Sequence, residues 1–334
     1  MLIALALTAL SNRPVQAYSD RMYGPVSAGD FKVFKVRMQT NLLVPKAGKR
    51  CLLLRTWHAM PTYRPWCNAR SPVGMLEFRC DPTAKIETEK DNLSTHLYWE
   101  ERQKLSPGQS LSYVSYFKVL SPRRTFNPST RSISWSDIES ESRRAPGEYY
   151  PVCAAAAELA RSLKTNHDPT NSIVGYCKWL QENIKYDATV SHSGDDAATT
   201  IASRRGHCGH ILTVFRQMCT SSGIKTRLIT GLNLQSPSGY PDRSQPYNPQ
   251  PNAHVWAEVY LPNIGWIEVE PMNGEKCFDI PANFVQNNSS FQNCAVWFTE
   301  SDNVPRQAQS SIVNGKLTAD YGMEHLISYS QENY

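Results

Sequence analysis

The chain has 334 residues, 40% of them hydrophobic and 19% charged, with a formal net charge of +5 at pH 7. This composition describes a globular protein with a substantial core, and the length implies two domains. No run of Lys or Arg exceeds two residues and no basic-aromatic pattern marks a groove, which excludes nucleic acid as a partner.

The chain begins "MLIALALTALSNRPVQA", a short apolar run, a polar stretch with Pro14, then Val15-x-Ala17 before Tyr18. The pattern, although it lacks a positive n-region, leads us to expect a secretory signal over residues 1–17, cleaved after Ala17. The mature protein is then expected to be secreted or periplasmic. No other run approaches the roughly 20 apolar residues of a membrane helix, so stable membrane insertion is not expected. Export would permit disulfides. Nine cysteines are an odd number, so at least one thiol lacks an intramolecular partner. Cys177 and Cys219 fall on apolar helix faces, where reduced cysteines are common. Cys277 and Cys294, which flank a loop, are the pair expected to bridge.

From Phe31 to Leu120 the text is strand-like. "FKVFKVRMQTNLLV", "CLLLRTWHAM", "VGMLEFRC", "STHLYWEE" and "LSYVSYFKVL" are rich in β-branched and aromatic residues and separated by turn-forming clusters. They predict an N-terminal antiparallel β-sandwich over residues 18–122. The Ser- and Arg-rich stretch 123–150 is aperiodic and reads as a linker.

Helices follow, in "PVCAAAAELARSLK" and in "DPTNSIVGYCKWLQENIKY". The second has Asp168 as N-cap, Pro169 at the first helical position, and an apolar stripe of Ile173, Cys177, Leu180 and Ile184. A short segment, Ala197 to Ser203, leads into "RRGHCGHILTVFRQMC". There Ile211, Leu212, Phe215, Met218 and Cys219 recur at helical spacing, and Gly223 marks the stop. Beyond it the period changes to two in "KTRLITGLN", "AHVWAEVYL" and "GWIEVEP". Helices followed by an antiparallel sheet make an α+β domain, bounded at 151–300, with a C-terminal tail over 301–334.

Cys208 stands at the first turn of the third helix, between His207 and Gly209. It could be a nucleophile, a metal ligand or a small core residue. The metal reading would use His207, Cys208 and His210, but these spread around a helix start, and no second cluster at zinc spacing supplies further ligands. No metal or organic cofactor is expected. His210 reads as a residue at the surface or behind the site, and His207 as a residue lining it. His58, His96, His167, His192 and His325 have no partner pattern and read as structural. Trp256 and Trp266 read as sheet packing.

The nucleophile reading needs a group that stabilises the thiolate. A helix N-terminus supplies part of this, and an oriented imidazole the rest. The turn "LPNIG" pairs 260 with 266, 258 with 268 and 256 with 270. His254 and Glu270 then share a face as diagonal neighbours, about 7 Å apart at the backbone. A slip of one residue would separate them. The opposite face (Val255, Ala257, Val259, Ile267, Val269) is apolar. The same register sets Glu258 across from Glu268, which requires a nearby cation such as Arg227.

In "GHCGHILTVFRQMCTSSGIKTRLITG" followed by "AHVWAEVYLPNIGWIEVEP" the order is a helix-borne Cys, a strand-borne His, then an acid before Pro on the next strand. This resembles the transglutaminase-like superfamily of papain-like cysteine enzymes, over roughly Pro151 to Pro271, and the sandwich before it fits the two-domain layout of bacterial members. The resemblance implies a triad of Cys208 as nucleophile, His254 as general base and acid, and Glu270 as orienting acid, where the family usually has Asp. It implies acyl transfer from an amide of a protein or peptide through a thioester. Water as acceptor gives a peptidase or amidase, the expected activity. A primary amine gives cross-linking, and loss of turnover leaves a binding module. The Cys208 N–H is the expected oxyanion donor. "LQSPSGYPDRSQPYNPQPN", Leu234 to Asn252, reads equally as a gating loop or a plain surface insertion.

Overall fold

The computed structural model describes residues 26–332 apart from 44–52, 62–73, 89–94, 103–108, 129–131, 142–150, 167, 191–195, 235–252, 287–293, 300–304, 308–311, 314–315 and 318–321. The expected signal segment and most of the candidate gating loop therefore lie outside the described residues, as do His167 and His192.

Strands β1 (Val26–Leu43), β2 (Leu53–Ala59), β3 (Gly74–Asp81), β4 (Lys85–Thr88), β5 (Thr95–Glu101) and β6 (Ser110–Phe126) come first. Period-two burial makes them two layers. On β1, Phe34, Val36, Met38 and Leu42 point inward, and on β6 Tyr113, Phe117 and Val119 do the same. They meet Leu54 of β2, Leu97 and Trp99 of β5 and partners from later strands in one core. Each fully buried Leu, Phe or Val contributes about 1.5–3 kcal/mol. Inside that core His58 bonds the hydroxyls of Thr40 and Ser115 at 2.7 and 2.9 Å, which satisfies a fully buried imidazole.

The second half contributes helices α1 (Trp135–Glu141), α2 (Ala154–Leu163) and α3 (Pro169–Asn183). The short strand β7 (Lys185–Tyr186), helix α4 (Ala197–Ser203), strand β8 (Arg205–Gly206) and helix α5 (Cys208–Ser221) follow. Then come β9 (Thr226–Asn233), β10 (Ala253–Leu261), β11 (Gly265–Val269), a 3-10 turn (Pro271–Lys276), β12 (Asp279–Ile280) and β13 (Phe284–Gln286). Asp168 caps α3 by accepting from Thr170 N–H, and Pro169 opens the helix, as the sequence requires. Gly223, at φ 80°, ends the α5 region in a conformation that favours glycine. The sheet β11-β10-β9-β13 buries Ala257, Val259, Ile267 and Val269 against Ile211, Phe215 and Met218 of α5 and Ile173 and Leu180 of α3.

The last strands are β14 (Cys294–Thr299), β15 (Pro305–Gln307), β16 (Ile312–Val313), β17 (Lys316–Leu317) and β18 (Gly322–Glu332). The sequence reads this region as the end of one domain and a tail, but β14 pairs with β2 and β18 pairs with Val33–Leu43 of β1. The sandwich sheets are β12-β6-β1-β18, with β3 also on β6, and β15-β14-β2-β5-β4. The α+β core is thus inserted between strands of one sandwich. The stretch expected as a linker holds the end of β6 and the helix α1, whose Ile138 is fully buried.

The two halves also share a buried charge. Glu258 and Glu268 face each other as the register demands. The cation on Glu268 is Arg124 of β6: its Nε and Nη2 reach the two carboxylate oxygens at 2.6 and 3.0 Å. Arg227, the expected cation, stands across from Glu258 on β9 and lies over the ring of Trp266, 3.9 Å from its centroid. Arg124 also donates to the carbonyls of Pro122 and Phe284, and Glu268 accepts Trp256 Nε1–H at 3.1 Å. Removing one partner of such a pair strands the other charge, at a cost of about 3–5 kcal/mol. Arg124→Ala is therefore expected to lower the free energy of unfolding by about that amount. Arg123→Ala, which removes a half-exposed, solvent-screened pair with Asp279, should cost far less. Denaturant titration of the two variants measures the difference.

Candidate active site

Helix α5 opens at Cys208, with His207 as its N-cap. His207 Nδ1 accepts the Gly209 N–H at 3.0 Å, and His210 Nδ1 accepts the His207 N–H at 3.4 Å. The two rings lie 3.8 Å apart between centroids. His210 is 2% exposed, so it is a buried part of the helix start and not a surface residue. Its Cβ explains Gly206: a Cβ at that position would lie 2.7 Å from it.

His254 sits at the start of β10, and its ring is walled by Trp256 and Phe284, with centroids 5.9 and 4.8 Å away. The hairpin forms the expected pairs Tyr260–Trp266 and Glu258–Glu268. That register brings Glu270 Oε2 to His254 Nε2 at 2.6 Å. The other carboxylate oxygen of Glu270 accepts the Met272 N–H at 2.9 Å, capping the 3-10 turn that Pro271 opens. The Glu270 N–H donates to the Cys277 carbonyl at 2.8 Å. Backbone and both carboxylate oxygens are thus fixed, and the longer arm of Glu spans from the cap to the imidazole.

The Cys208 thiol is electrostatically coupled to the imidazoles of His207 and His254 and to the Val255 amide. With Nε2 of His254 engaged by Glu270, Nδ1 is the nitrogen left to face the sulfur. Burial pushes the Cys208 thiol up, but the hydrogen bonds from His207 and His254, the His254 charge and the Val255 amide outweigh it and hold it at about 6. Burial likewise works against the His254 imidazolium. The Glu270 charge, followed by the hydrogen bonds to Cys208 and Glu270, overcomes it and raises the imidazole to about 10. Between those limits the pair is thiolate and imidazolium, a charged nucleophile beside a proton donor.

The remaining thiols contrast with it. Burial raises Cys177 and Cys219 well above the ordinary thiol range. Cys277, expected to bridge to Cys294, is a free, buried thiol hydrogen-bonded to Cys177. It is drawn into the helical core by the 3-10 turn, and the Cys294 side chain lies outside the described residues. Among the described helices none is long and apolar enough to cross a membrane.

Residues 157–271 match the family model described as the transglutaminase-like superfamily. An uncharacterized protein of Mycobacterium leprae is 23% identical over 159 residues, which cover 45% of this chain and 54% of that protein. The chain thus spans about half the length of the curated relative it matches. Among solved structures, a candidate cysteine protease from Cytophaga hutchinsonii superposes with a TM-score of 0.55 at 13% identity, covering 91% of this chain and all of that one. The periplasmic domain of TgpA from Pseudomonas aeruginosa gives a TM-score of 0.33 at 17% identity, over 74% of this chain and 91% of that one. The first of these shows a common fold.

The ion pair fixes a pH signature. Iodoacetamide alkylation of Cys208 is expected to rise as pH passes through about 6 and then hold level, because the thiolate is already formed. The pair titrates as a unit, so His254→Ala should move the rise toward the ordinary thiol range. Cys177 and Cys219 should stay unlabelled in the folded protein. Peptide mapping after timed alkylation across pH reads all three outcomes.

Proposed function

We propose that the transglutaminase-like core at residues 157–271 makes this chain a cysteine-dependent enzyme acting on amide bonds of proteins or peptides. The observation that carries the reading is the 2.6 Å hydrogen bond from Glu270 to His254, the imidazole whose charge holds the Cys208 thiol low. In the first half-reaction the Cys208 thiolate attacks the amide carbon, the C–N bond breaks, and the His254 imidazolium gives its proton to the departing amine. A thioester remains. In the second, water attacks the thioester carbon, His254 takes its proton, and the C–S bond breaks to restore thiolate and imidazolium.

Glu270 holds the imidazole with Nδ1 toward sulfur and offsets its positive charge, and does not itself take a proton. The Cys208 N–H, one of the helix-start amides without an intrahelical acceptor, is the proposed oxyanion donor. Water is the proposed acceptor. Transfer to an amine needs a site that excludes water from the thioester, whereas the Cys208 side chain is partly exposed. A protein or peptide amide is the proposed substrate.

Turnover on a mixture of peptides in heavy-oxygen water, with and without a primary amine, tests the proposal. Heavy oxygen is expected in a new carboxyl group, with little amine adduct. An adduct as the main product would instead make the chain an acyltransferase. Cys208→Ala should abolish both products. Glu270→Gln should lower kcat by roughly 100-fold or more while leaving Cys208 alkylation largely intact, as for other orienting acids. No product from any peptide with the wild-type chain, together with slow alkylation of Cys208, would leave a binding module.

A further inference from the structure

The outer face of the sandwich sheet carries a cleft of about 430 Å³ lined by Lys35, Arg37, Arg79, Tyr116 and Lys118, among others. Strand register organises its charges into two rungs across β1, β6 and β3. One rung reads Lys35–Lys118–Glu77 and the next Arg37–Tyr116–Arg79. The first rung is balanced: Lys118 lies 3.9 Å from Glu77 and 3.4 Å from Glu332, and Lys35 pairs with Glu332 as well. The second is not. Arg37 and Arg79 both lie against the Tyr116 ring, 5.7 and 4.2 Å from its centroid, and neither has a carboxylate partner among the described residues.

Arg37 is held in place. Its Nε donates to Tyr116 Oη at 3.2 Å and its Nη2 to Gln39 Oε1, which leaves a buried Nη1 with no acceptor among the described residues. An orphaned buried donor is costly, and a charged one more so. Two guanidiniums on one ring repel each other besides. A planar anion placed between them would satisfy both, because the guanidinium fork matches a carboxylate with two parallel hydrogen bonds.

We propose that this cleft binds a peptide segment through a single carboxylate, clamped by Arg37 and Arg79 over the Tyr116 ring. The neighbouring rung decides against a polyanion. Lys35 and Lys118 are already paired with Glu77 and Glu332, so only Arg37 and Arg79 remain to receive negative charge, enough for one carboxylate and not for a run of phosphates or uronates. Tyr116 lies eight residues along β6 from Arg124, roughly 26 Å at strand rise. The cleft thus lies well along β6 from the point where Arg124 anchors the hairpin that carries the candidate site, and would hold a part of the substrate that does not react. As an exosite it rests on the activity proposed above, but as a binding site it does not.

The test therefore reads binding on the full chain carrying Cys208→Ala, without turnover. Short amidated peptides with one central Glu are compared with the same peptides carrying Gln, and with Ala peptides whose C-terminal carboxylate is free. The Glu peptide is expected to bind at least about tenfold tighter than the Gln peptide, and Arg79→Ala to remove that difference. Arg79 is exposed, so this variant should fold even if Arg37→Ala does not. Arg37→Lys should not restore affinity where the fork is needed. Tight binding of the free-carboxylate Ala peptide, also lost in Arg79→Ala, would assign the clamp to a chain terminus. Equal affinity for Glu and Gln peptides with no binding of the free terminus would overturn the proposal. So would binding unchanged in Arg79→Ala, or a preference for heparin or polyphosphate over every peptide.

Discussion

A buried carboxylate on the wrong side of a hairpin governs much of this structure. The turn at Pro262–Gly265 fixes the register that brings Glu270 to His254, and the same register sets Glu258 opposite Glu268. Glu268, 6% exposed, meets Arg124 of the sandwich. Glu268 also accepts the indole N–H of Trp256, whose ring lies along the imidazole of His254 at an interplanar angle of 19°. A line of contacts therefore runs from a sandwich strand to the ring that faces the thiol. The sandwich is part of the support of the site, since without Arg124 the hairpin would hold an uncompensated charge in its core.

The site itself is a balance that hydrogen bonding wins against burial. Cys208 and His254 are both largely withdrawn from solvent, which disfavours either charge alone. The pair ionises because each charge faces the other and both are fixed from behind. Glu270 holds the imidazole, and the Val255 amide and His207 hold the sulfur. Glu in place of the usual acid fits this arrangement. One oxygen caps the turn that follows Pro271 while the other reaches the ring, so the extra methylene is absorbed by the geometry of the 3-10 start.

What the sequence disclosed depended on the range of the interaction. The α5 stripe of Ile211, Phe215 and Met218 follows from a 3.6-residue period, and the His254–Glu270 alignment from a two-residue period and a turn. Both are local rules, and both are visible in the text. Arg124 is 144 residues from Glu268, and nothing near it distinguishes it from Arg123 beside it. The need for a cation was legible, and Arg227 does stand opposite Glu258, but the second cation, on Glu268, was not legible. β14 and β18 were missed because each is isolated in polar text, and their stability comes from partners near the start of the chain. Cys277 was misassigned because loop proximity in sequence suggested Cys294, while the 3-10 turn after Glu270 carries it to Cys177. The sequence allows His210 either the surface or a place behind the site, and the structure selects the second; Gly206 beside it was the signal that something packs there.

The return of β18 to β1 has a consequence for how the molecule comes into being. The Thr40–His325 hydrogen bond joins residues 285 apart, and the whole α+β core is threaded between them. Contacts of such separation close slowly, because loop entropy is lost before pairing offsets it. During synthesis β1 leaves the ribosome long before its partner, and waits with one edge open until nearly the last described residue has been made. The helices and the hairpin have their own local contacts and can organise earlier. The framework that anchors Glu268 closes last, so an edge strand with nothing to pair with is a built-in stage of this chain's biogenesis, and the interval in which it needs protection from other chains is set by the length of the insert.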